Sequence, residues 1–179
     1  DDRLPMIEWA GWWDKTQERF HKEGVPRDLS RDEIREYLGL DMMRQFWISP
    51  KSQAYRDASK ADKKVFDTES YLKVKPMLYP KDAVEVRREQ IKKLKPLHEA
   101  GDCAVWITLE GFFWFPRTMM GFTKLIIAFY DQPELLNSIN QDLIDFNLQL
   151  LAQIAKIGKP VFLTIAEDMS YNNGPMISR

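Results

Sequence analysis

The strongest constraint on the fold is an apolar run over residues 103–109 that stops at Glu110. A run of this kind is typical of a strand that is covered on both faces of a sheet, as in parallel α/β proteins. From residue 81 onward the pattern alternates helix, strand, helices and strand, which favours a parallel sheet with helical crossovers. We expect the last strand over residues 161–166, directly before Glu167 and Asp168.

Local signals predict three helices. Ser30 and Glu33 have the spacing of a capping box, and Gly39 supplies a left-handed stop, so a helix is expected over residues 31–38. A long amphipathic helix is expected between Pro133 and Gly158. A third helix begins near residue 82, and Pro96 is expected to kink or end it.

Further strands are predicted less directly. Residues 4–7 form a short apolar run before Glu8, and residues 44–50 give a weak strand pattern. Residues 71–80 alternate apolar and polar side chains like a half-exposed edge strand. Residues 51–70 are polar and are expected to form an exposed excursion, whereas the segment around residues 118–130 is expected to be helical.

Composition excludes several classes of function. With 179 residues, 44% of them hydrophobic, the chain is expected to fold as one domain. The net charge of −1 gives no long-range attraction to nucleic acid or to an anionic membrane. A lone cysteine, Cys103, makes no internal disulfide, and neither a leader pattern nor a membrane-spanning apolar segment is visible. We therefore expect a cytoplasmic protein with a small-molecule substrate.

Carboxylates follow three of the predicted strands at the point where each strand ends. These residues are Glu8, Glu110, and the pair Glu167 and Asp168. The carboxyl ends of parallel strands share one edge of the sheet, where ligand sites form. The sequence therefore predicts a shared acidic site, although each carboxylate alone could equally cap a helix or pair with a surface arginine.

The loops after two of these strands are rich in aromatic residues. One contains Trp12, Trp13 and Asp14. The other contains Phe113, Trp114 and Arg117. Exposed aromatic rings cost free energy, so they cover either a flat ligand or the neighbouring loops. Arg117 could hold a substrate carboxylate, or it could pair with one of the strand-end acids.

Other familiar chemistries have no signature in the sequence. His21 lies in a charged stretch that is expected to be helical up to Gly24, and His98 lies in the charged helix that begins near residue 82, so both are expected at the surface. The chain has no cluster of cysteine and histidine with the spacing of a zinc site, so no metal site is expected within it. A serine, histidine and aspartate arrangement also lacks a local signature.

Four segments together resemble the uroporphyrinogen decarboxylase superfamily, in particular its bacterial branch near the corrinoid and coenzyme M methyltransferases. They are "RLPMIEWAGWWDKT", "GFFWFPRTMMGF", "FYDQPELLNSINQDLIDFN" and "AEDMSYNNGPMISR". The resemblance implies an α/β fold, the (β/α)8 TIM barrel. It implies that residues 1–179 are one partial barrel domain, the amino-terminal half to two-thirds, with "GPMISR" entering the next helix. A homodimer, or a partner that supplies the missing half-barrel, would then complete it.

The resemblance also implies an activity. The expected function is methyl transfer that involves a corrinoid or a tetrapyrrole-related substrate. One alternative is uroporphyrinogen decarboxylase in porphyrin biosynthesis, and another is a non-catalytic corrinoid- or porphyrin-binding module. Decarboxylases carry arginines after the first strand and a small hydroxyl residue where this chain has Met169, and both departures weigh against decarboxylation. The isolated fragment is expected to be inactive.

Cofactors and site residues follow from the same resemblance. Zinc or a corrinoid would be the cofactor if the missing carboxyl-terminal half carries a His-x-Cys pair and a later cysteine. The expected catalytic residues are Glu110, Arg117, Glu167, Asp168 and Tyr171. The expected substrate-binding residues are Glu8, Trp12, Trp13, Asp14, Phe113, Trp114 and Asn172.

Overall fold

The fold is built around a small parallel sheet. The computed structural model describes residues 4–177. Three parallel strands lie in the order β1 (Met43–Ile48), β2 (Ala104–Glu110) and β3 (Leu163–Ala166), with β2 in the centre. A short antiparallel hairpin follows, formed by β4 (Ser170–Tyr171) and β5 (Gly174–Pro175).

Helices occupy most of the remaining chain. They are α1 (Asp14–Lys22), α2 (Arg31–Tyr37), α3 (Gln53–Asp57), α4 (Thr68–Val74), α5 (Glu85–Ala100), α6 (Trp114–Met120), α7 (Phe122–Asp131) and α8 (Pro133–Ile154). One turn of 3₁₀ helix, Lys75–Met77, extends α4. Among residues 4–177, no helix combines the length and the apolar character that crossing a membrane requires.

One face of the sheet packs against the helices. Side chains alternate between the two faces of a strand, so Val105, Ile107 and Leu109 of β2 point the same way. All three are buried in the main hydrophobic core together with Ile91 of α5 and Leu150 of α8. Burying an aliphatic side chain of this size contributes about 1.5–3 kcal/mol. This face therefore anchors the helices to the sheet.

The opposite face of the sheet is covered only in part. Met43, Ala104 and Trp106 form a separate small cluster, against which Ile7 packs. The segment that contains Ile7 is held near β1 because the Met6 backbone N–H donates to the Asp41 carboxylate at 2.7 Å. Beyond this cluster the face is exposed mainly at Trp47 of β1 and partly at Thr164 of β3, and the candidate site lies there.

Several predicted elements are confirmed. Helix α2 begins at the predicted capping box: the Glu33 N–H donates to the Ser30 hydroxyl at 3.4 Å, and the Ser30 N–H donates to the Glu33 carboxylate at 2.7 Å. Strand β2 is buried along its whole length, and the long helix is α8. The weak pattern at residues 44–50 is also a strand, β1.

The predicted (β/α)8 barrel, complete or partial, is wrong. The described residues form an open three-stranded parallel sheet and a two-stranded hairpin. Residues 4–7 are not a strand. Residues 71–77 are helical instead, because Asp67 and Ser70 form a capping box that starts α4 and one 3₁₀ turn extends it. The buried residues Tyr71 and Val74 follow the three-residue spacing of a helix, whereas Leu78, beyond the last turn, forms an isolated antiparallel bridge with Lys51.

Smaller differences also have local causes. Helix α5 continues past Pro96 to Ala100, so the expected stop is displaced to Gly101, which has the positive φ of a left-handed cap. The excursion expected over residues 51–70 contains α3 and buries Tyr55 and Val65. It is therefore part of the core as well as of the surface.

The last strand is less buried than the sequence indicates. Leu163 and Ile165 of β3 are 43% and 55% exposed, because β3 is an edge strand with β2 on one side only. The segment beyond it was expected to enter a helix. Gly174–Pro175 instead form β5, and residues 178–179 lie outside the described part of the chain.

A buried polar network ties α4 to α8. The Tyr71 hydroxyl donates to the Asp142 carboxylate at 2.6 Å and lies 2.9 Å from the Tyr79 hydroxyl. The Lys75 ammonium bonds the same carboxylate at 2.8 Å. Burial raises the pKa of Tyr71 well above its ordinary value, and the bond to Asp142 adds to this. Burial likewise raises the pKa of Tyr79.

The capping box gives a prediction for stability. Replacing Ser30 by alanine removes the hydroxyl that accepts from Glu33, so the free energy of unfolding should fall by about 1 kcal/mol. Urea unfolding followed by circular dichroism measures this. Ser30→Asp keeps an accepting oxygen and serves as the control. A Ser30→Ala midpoint equal to that of the unchanged protein would contradict the assignment.

The tyrosine network gives a prediction for alkaline pH. A folded-state pKa that is raised above the unfolded value of about 10 adds stability below that pH. The stability is lost as pH rises, because the unfolded chain releases the proton first. We expect the urea concentration at the unfolding midpoint to fall as the pH rises above about 10. In Tyr71→Phe this midpoint should fall less steeply with pH. At pH 7 the free energy of unfolding of Tyr71→Phe should be about 1–3 kcal/mol lower than that of the unchanged protein, because Asp142 loses a hydrogen-bond donor.

Candidate functional site

An open cleft of about 660 Å³ lies on the face of the sheet away from the main helices. We call it the tryptophan cleft, because four of the six tryptophans line it. Its lining residues are Pro5, Ile7, Trp9, Gln45, Trp47, Trp106, Thr108, Trp114, Phe162, Thr164, Ile165, Ala166, Glu167 and Asp168. The volume is within the range of small-molecule sites.

The register of the strands assembles the floor of the cleft. Gln45 is paired with Trp106, and Trp47 with Thr108. Thr108 is in turn paired with Thr164. Because alternate residues of a strand share one face, these side chains lie side by side across the sheet. Three strands thus contribute to one surface.

A row of hydrogen-bonded polar groups crosses this floor. The Gln45 amide donates to the Thr108 hydroxyl at 2.7 Å. The hydroxyls of Thr108 and Thr164 are 2.6 Å apart. The amide oxygen of Gln45 and the hydroxyl of Thr164 end the row and offer hydrogen-bonding capacity to a ligand. The floor is therefore suited to a ligand with polar groups on an apolar body.

Aromatic side chains form the rest of the cleft. Trp106 and Phe162 stack with ring centres 5.2 Å apart and planes inclined by 22°. Trp9 and Trp47 remain 61% and 45% exposed. Large rings left in water cost free energy of about 25 cal/mol per Å² and typically mark a binding surface. Trp9 and Trp47 are the residues that a flat ligand would cover.

Glu167 at the end of the cleft caps helix α6. Its carboxylate accepts from the backbone N–H groups of Phe113 at 3.1 Å and Trp114 at 2.9 Å. Gly111 allows this arrangement, since a β-carbon there would overlap the Glu167 carboxyl group. The predicted strand-end acid therefore fixes the loop after β2, and its oxygens are already engaged.

Asp168 pairs with Arg117 beside the cleft. The Arg117 guanidinium donates to the Asp168 carboxylate at 3.2 Å and to the Asp168 carbonyl at 3.3 Å. It also lies over the rings of Trp114 and Phe122, 5.3 and 5.4 Å from their centres. Of the two roles that the sequence leaves open for Arg117, the structure shows the pairing with a strand-end acid.

Glu110 is buried at the same edge of the sheet but does not line the cleft. Its carboxylate accepts from the Ser49 hydroxyl at 3.0 Å and from the Lys51 ammonium at 3.3 Å. Such a buried pair is costly to break, because removing one partner leaves an uncompensated charge. Glu110 therefore joins the ends of β1 and β2.

The predicted residues of the amino-terminal loop lie outside the lining of the cleft. Glu8 accepts from the Ala10 N–H at 3.1 Å in a local turn. Trp12 packs edge-on against Phe20, with ring centres 5.2 Å apart. Trp13 is 78% exposed, immediately before the first residue of α1, Asp14. The expected convergence of Glu8 with the other strand-end acids depended on a strand that is not formed.

The remaining predicted residues are also separate from the cleft. Phe113 is buried in the main core and stacks on Phe129 with ring centres 6.3 Å apart. Tyr171 and Asn172 are exposed in the hairpin of β4 and β5. Of the predicted site residues, those that line the cleft are Trp114, Glu167 and Asp168.

Sequence reasoning missed most of the cleft. Gln45, Trp47, Trp106, Thr108 and Thr164 were not predicted to bind a ligand. The sequence contained one indication of this surface, because the polar residues Thr108 and Thr164 interrupt apolar runs in two predicted strands. A hydroxyl at the same position in two neighbouring strands indicates a face that is not pure core.

Comparisons with protein-family models, with curated proteins and with solved structures gave no match for this chain. The site is therefore interpreted from its own chemistry. Within residues 4–177, no group of three histidine, cysteine, aspartate or glutamate residues is placed to hold a metal ion. Cys103 is buried, and burial raises the pKa of its thiol.

Gly111 gives a prediction for the architecture of the site. In Gly111→Ala the new methyl group should displace the Glu167 carboxylate from the N–H groups of α6 and lower the free energy of unfolding by about 1–3 kcal/mol. Gly158→Ala is the matched control, because a β-carbon there meets nothing within 4 Å. Urea midpoints that are equal for the two variants would contradict this packing.

Proposed function

We propose that the tryptophan cleft binds a flat, conjugated ligand with hydrogen-bonding groups at its edge. The observation that carries this proposal is the exposure of Trp9 and Trp47 on a surface whose floor is a continuous polar row. Aromatic rings contribute large contact area at low entropic cost, and the polar groups orient what is stacked on them. The first part of the proposal is that the cleft binds this ligand, and a chemical step is considered after it.

The charge of the cleft narrows the class of ligand. The charged residues among those lining it are Glu167 and Asp168. Carboxylates repel a ring that itself carries many carboxylates and attract cationic or amide groups. This supports a corrinoid, whose edge carries amides, over uroporphyrinogen, whose edge carries acids. A corrinoid is also the ligand class that the sequence resemblance implies.

Methyl transfer is the activity that the same resemblance implies for a corrinoid-binding protein, and it is part of this proposal. In this reading Asp168, oriented by Arg117, is the ionizable group next to the bound ring. Glu167 has a positioning role, since its oxygens are held by the start of α6. The alternative of a non-catalytic binding module uses the same contacts without a chemical step.

Equilibrium dialysis with cobinamide, an amide-bearing corrinoid, tests binding. We expect saturable binding, and we expect Trp47→Ala and Trp9→Ala to weaken it about tenfold each, the scale of a lost aromatic stacking contact. Trp13→Ala is the matched control, because Trp13 is exposed outside the cleft. Equal losses at Trp9 and Trp13, or tighter binding of uroporphyrin than of cobinamide, would refute the proposal.

A second measurement separates the enzyme from the binding module. Methylcobalamin and a thiol are incubated with the protein, and the absorption spectrum of the cobalt centre is followed. Methyl transfer to the thiol changes this spectrum, whereas binding alone leaves the methyl-cobalt bond intact. An unchanged spectrum in the presence of demonstrated binding would reject the catalytic reading and keep the binding one.

A further inference from the structure

A second cavity, of about 520 Å³, lies at the carboxyl end of β1. We call it the basic pocket. Its lining residues are Trp47, Ile48, Ser49, Lys51, Ser52, Gln53, Ala54, Arg56, Pro80, Asp82, Ala83, Val86 and Arg87. Trp47 also lines the tryptophan cleft, so one residue borders both spaces. A ligand that stacks on Trp47 is therefore adjacent to the basic pocket.

Positive charge prevails in this pocket. The lining contains three cationic side chains and one carboxylate: Lys51, Arg56, Arg87 and Asp82. A second carboxylate, that of Glu110, does not line the pocket but pairs with Lys51. The charged lining residues of the tryptophan cleft are acidic instead, Glu167 and Asp168, and Arg117 pairs with Asp168 from beside the cleft. The charged lining residues of the two spaces that share Trp47 are thus mainly of opposite sign.

Two of the groups near the end of β1 have unused donors. The Lys51 ammonium donates to Glu110 at 3.3 Å and lies 6.0 and 5.7 Å from the ring centres of Tyr55 and Phe115, and an ammonium has three N–H groups. The Ser52 hydroxyl accepts from the Tyr55 N–H at 3.3 Å, which leaves its own proton to donate. Both groups can therefore donate to an anion while they keep these hydrogen bonds.

The two arginines add further donors. Arg56 donates to the Gln53 side chain at 3.2 Å and to the Lys51 carbonyl at 2.9 Å. Arg87 donates to the Gln90 side chain at 3.2 Å. A guanidinium has five N–H groups, so donors remain on each. Guanidinium groups bind phosphate through paired hydrogen bonds, which an ammonium and a hydroxyl can supplement.

We infer that the basic pocket binds the phosphate group of a ligand whose flat ring occupies the tryptophan cleft, the two parts being joined across Trp47. This inference rests on the proposed function of the cleft. It makes the ligand asymmetric: amide or cationic groups face Glu167 and Asp168, and a phosphate-bearing arm faces Lys51, Arg56 and Arg87. A ring that carries acids on all sides does not fit this distribution of charge.

The test compares cobinamide with cobinamide phosphate, two corrinoids that differ by one phosphate group, in equilibrium dialysis at fixed ionic strength. We expect the phosphate to strengthen binding about tenfold, which is 1.4 kcal/mol. The Arg56→Ala/Arg87→Ala double variant should lose this gain and still bind cobinamide. Arg88→Ala is the matched control, since Arg88 neighbours Arg87 on α5 but pairs with Glu85. Urea midpoints check that the variants fold.

Equal binding of the two corrinoids to the unchanged protein, or a gain that survives in the double variant, overturns the inference and leaves the proposed function standing. If neither corrinoid binds, the proposed function fails. Binding of pyrophosphate alone then tests whether the basic pocket is a phosphate site. A saturable ³¹P NMR shift that is lost in the double variant but kept in Arg88→Ala then supports a phosphate site that takes free anions. The absence of such a shift rejects it.

Discussion

Strand β2 is the constraint on which the rest of the structure depends. It is buried along its length and hydrogen-bonded to a parallel strand on each side. Its alternate residues serve two purposes. Val105, Ile107 and Leu109 hold the helices, whereas Trp106 and Thr108 form the middle of the cleft. The core and the candidate site are thus two faces of one strand.

Acidic side chains at the carboxyl-terminal edge of the sheet bind backbone N–H groups and nearby polar side chains. Glu167 caps the start of α6, and Glu110 joins the ends of β1 and β2 through Ser49 and Lys51. Asp168 holds Arg117 over two aromatic rings. Carboxylates so engaged pre-organise the loops around the cleft, and Glu167 and Asp168 also line it.

The elements predicted correctly are those whose signals are local. The capping box at Ser30 determines the start of α2, and the apolar run before Glu110 determines β2. Residues 71–80 were misread because an alternating pattern and a helical one coincide over so short a stretch. The cap that decides between them, Asp67, precedes the window. The barrel, which the family resemblance implied, was wrong: the described residues form an open parallel sheet of three strands, and residues 4–7 and 71–80 are not strands.

The site was harder to predict than the fold. That acids would gather at the carboxyl ends of β2 and β3 follows from parallel topology, and Glu110 and Glu167 do follow adjacent strands. Which acids line a cavity depends on hydrogen bonds that only the folded chain makes. The floor of the cleft depends on register, because Gln45 meets Thr108 across 63 positions of sequence. No local pattern encodes that meeting.

This separation in sequence also affects how the chain reaches its native state. The pairings of Met43 with Ala104 and of Ile107 with Leu163 each join residues more than fifty positions apart. Closing such long loops costs entropy before any strand contact offsets it, so folding rates fall as contacts become less local. Helices α2 and α8 carry their own caps or amphipathic pattern and can form early. The sheet, and with it every residue of the cleft floor, should assemble after these helices during synthesis on the ribosome.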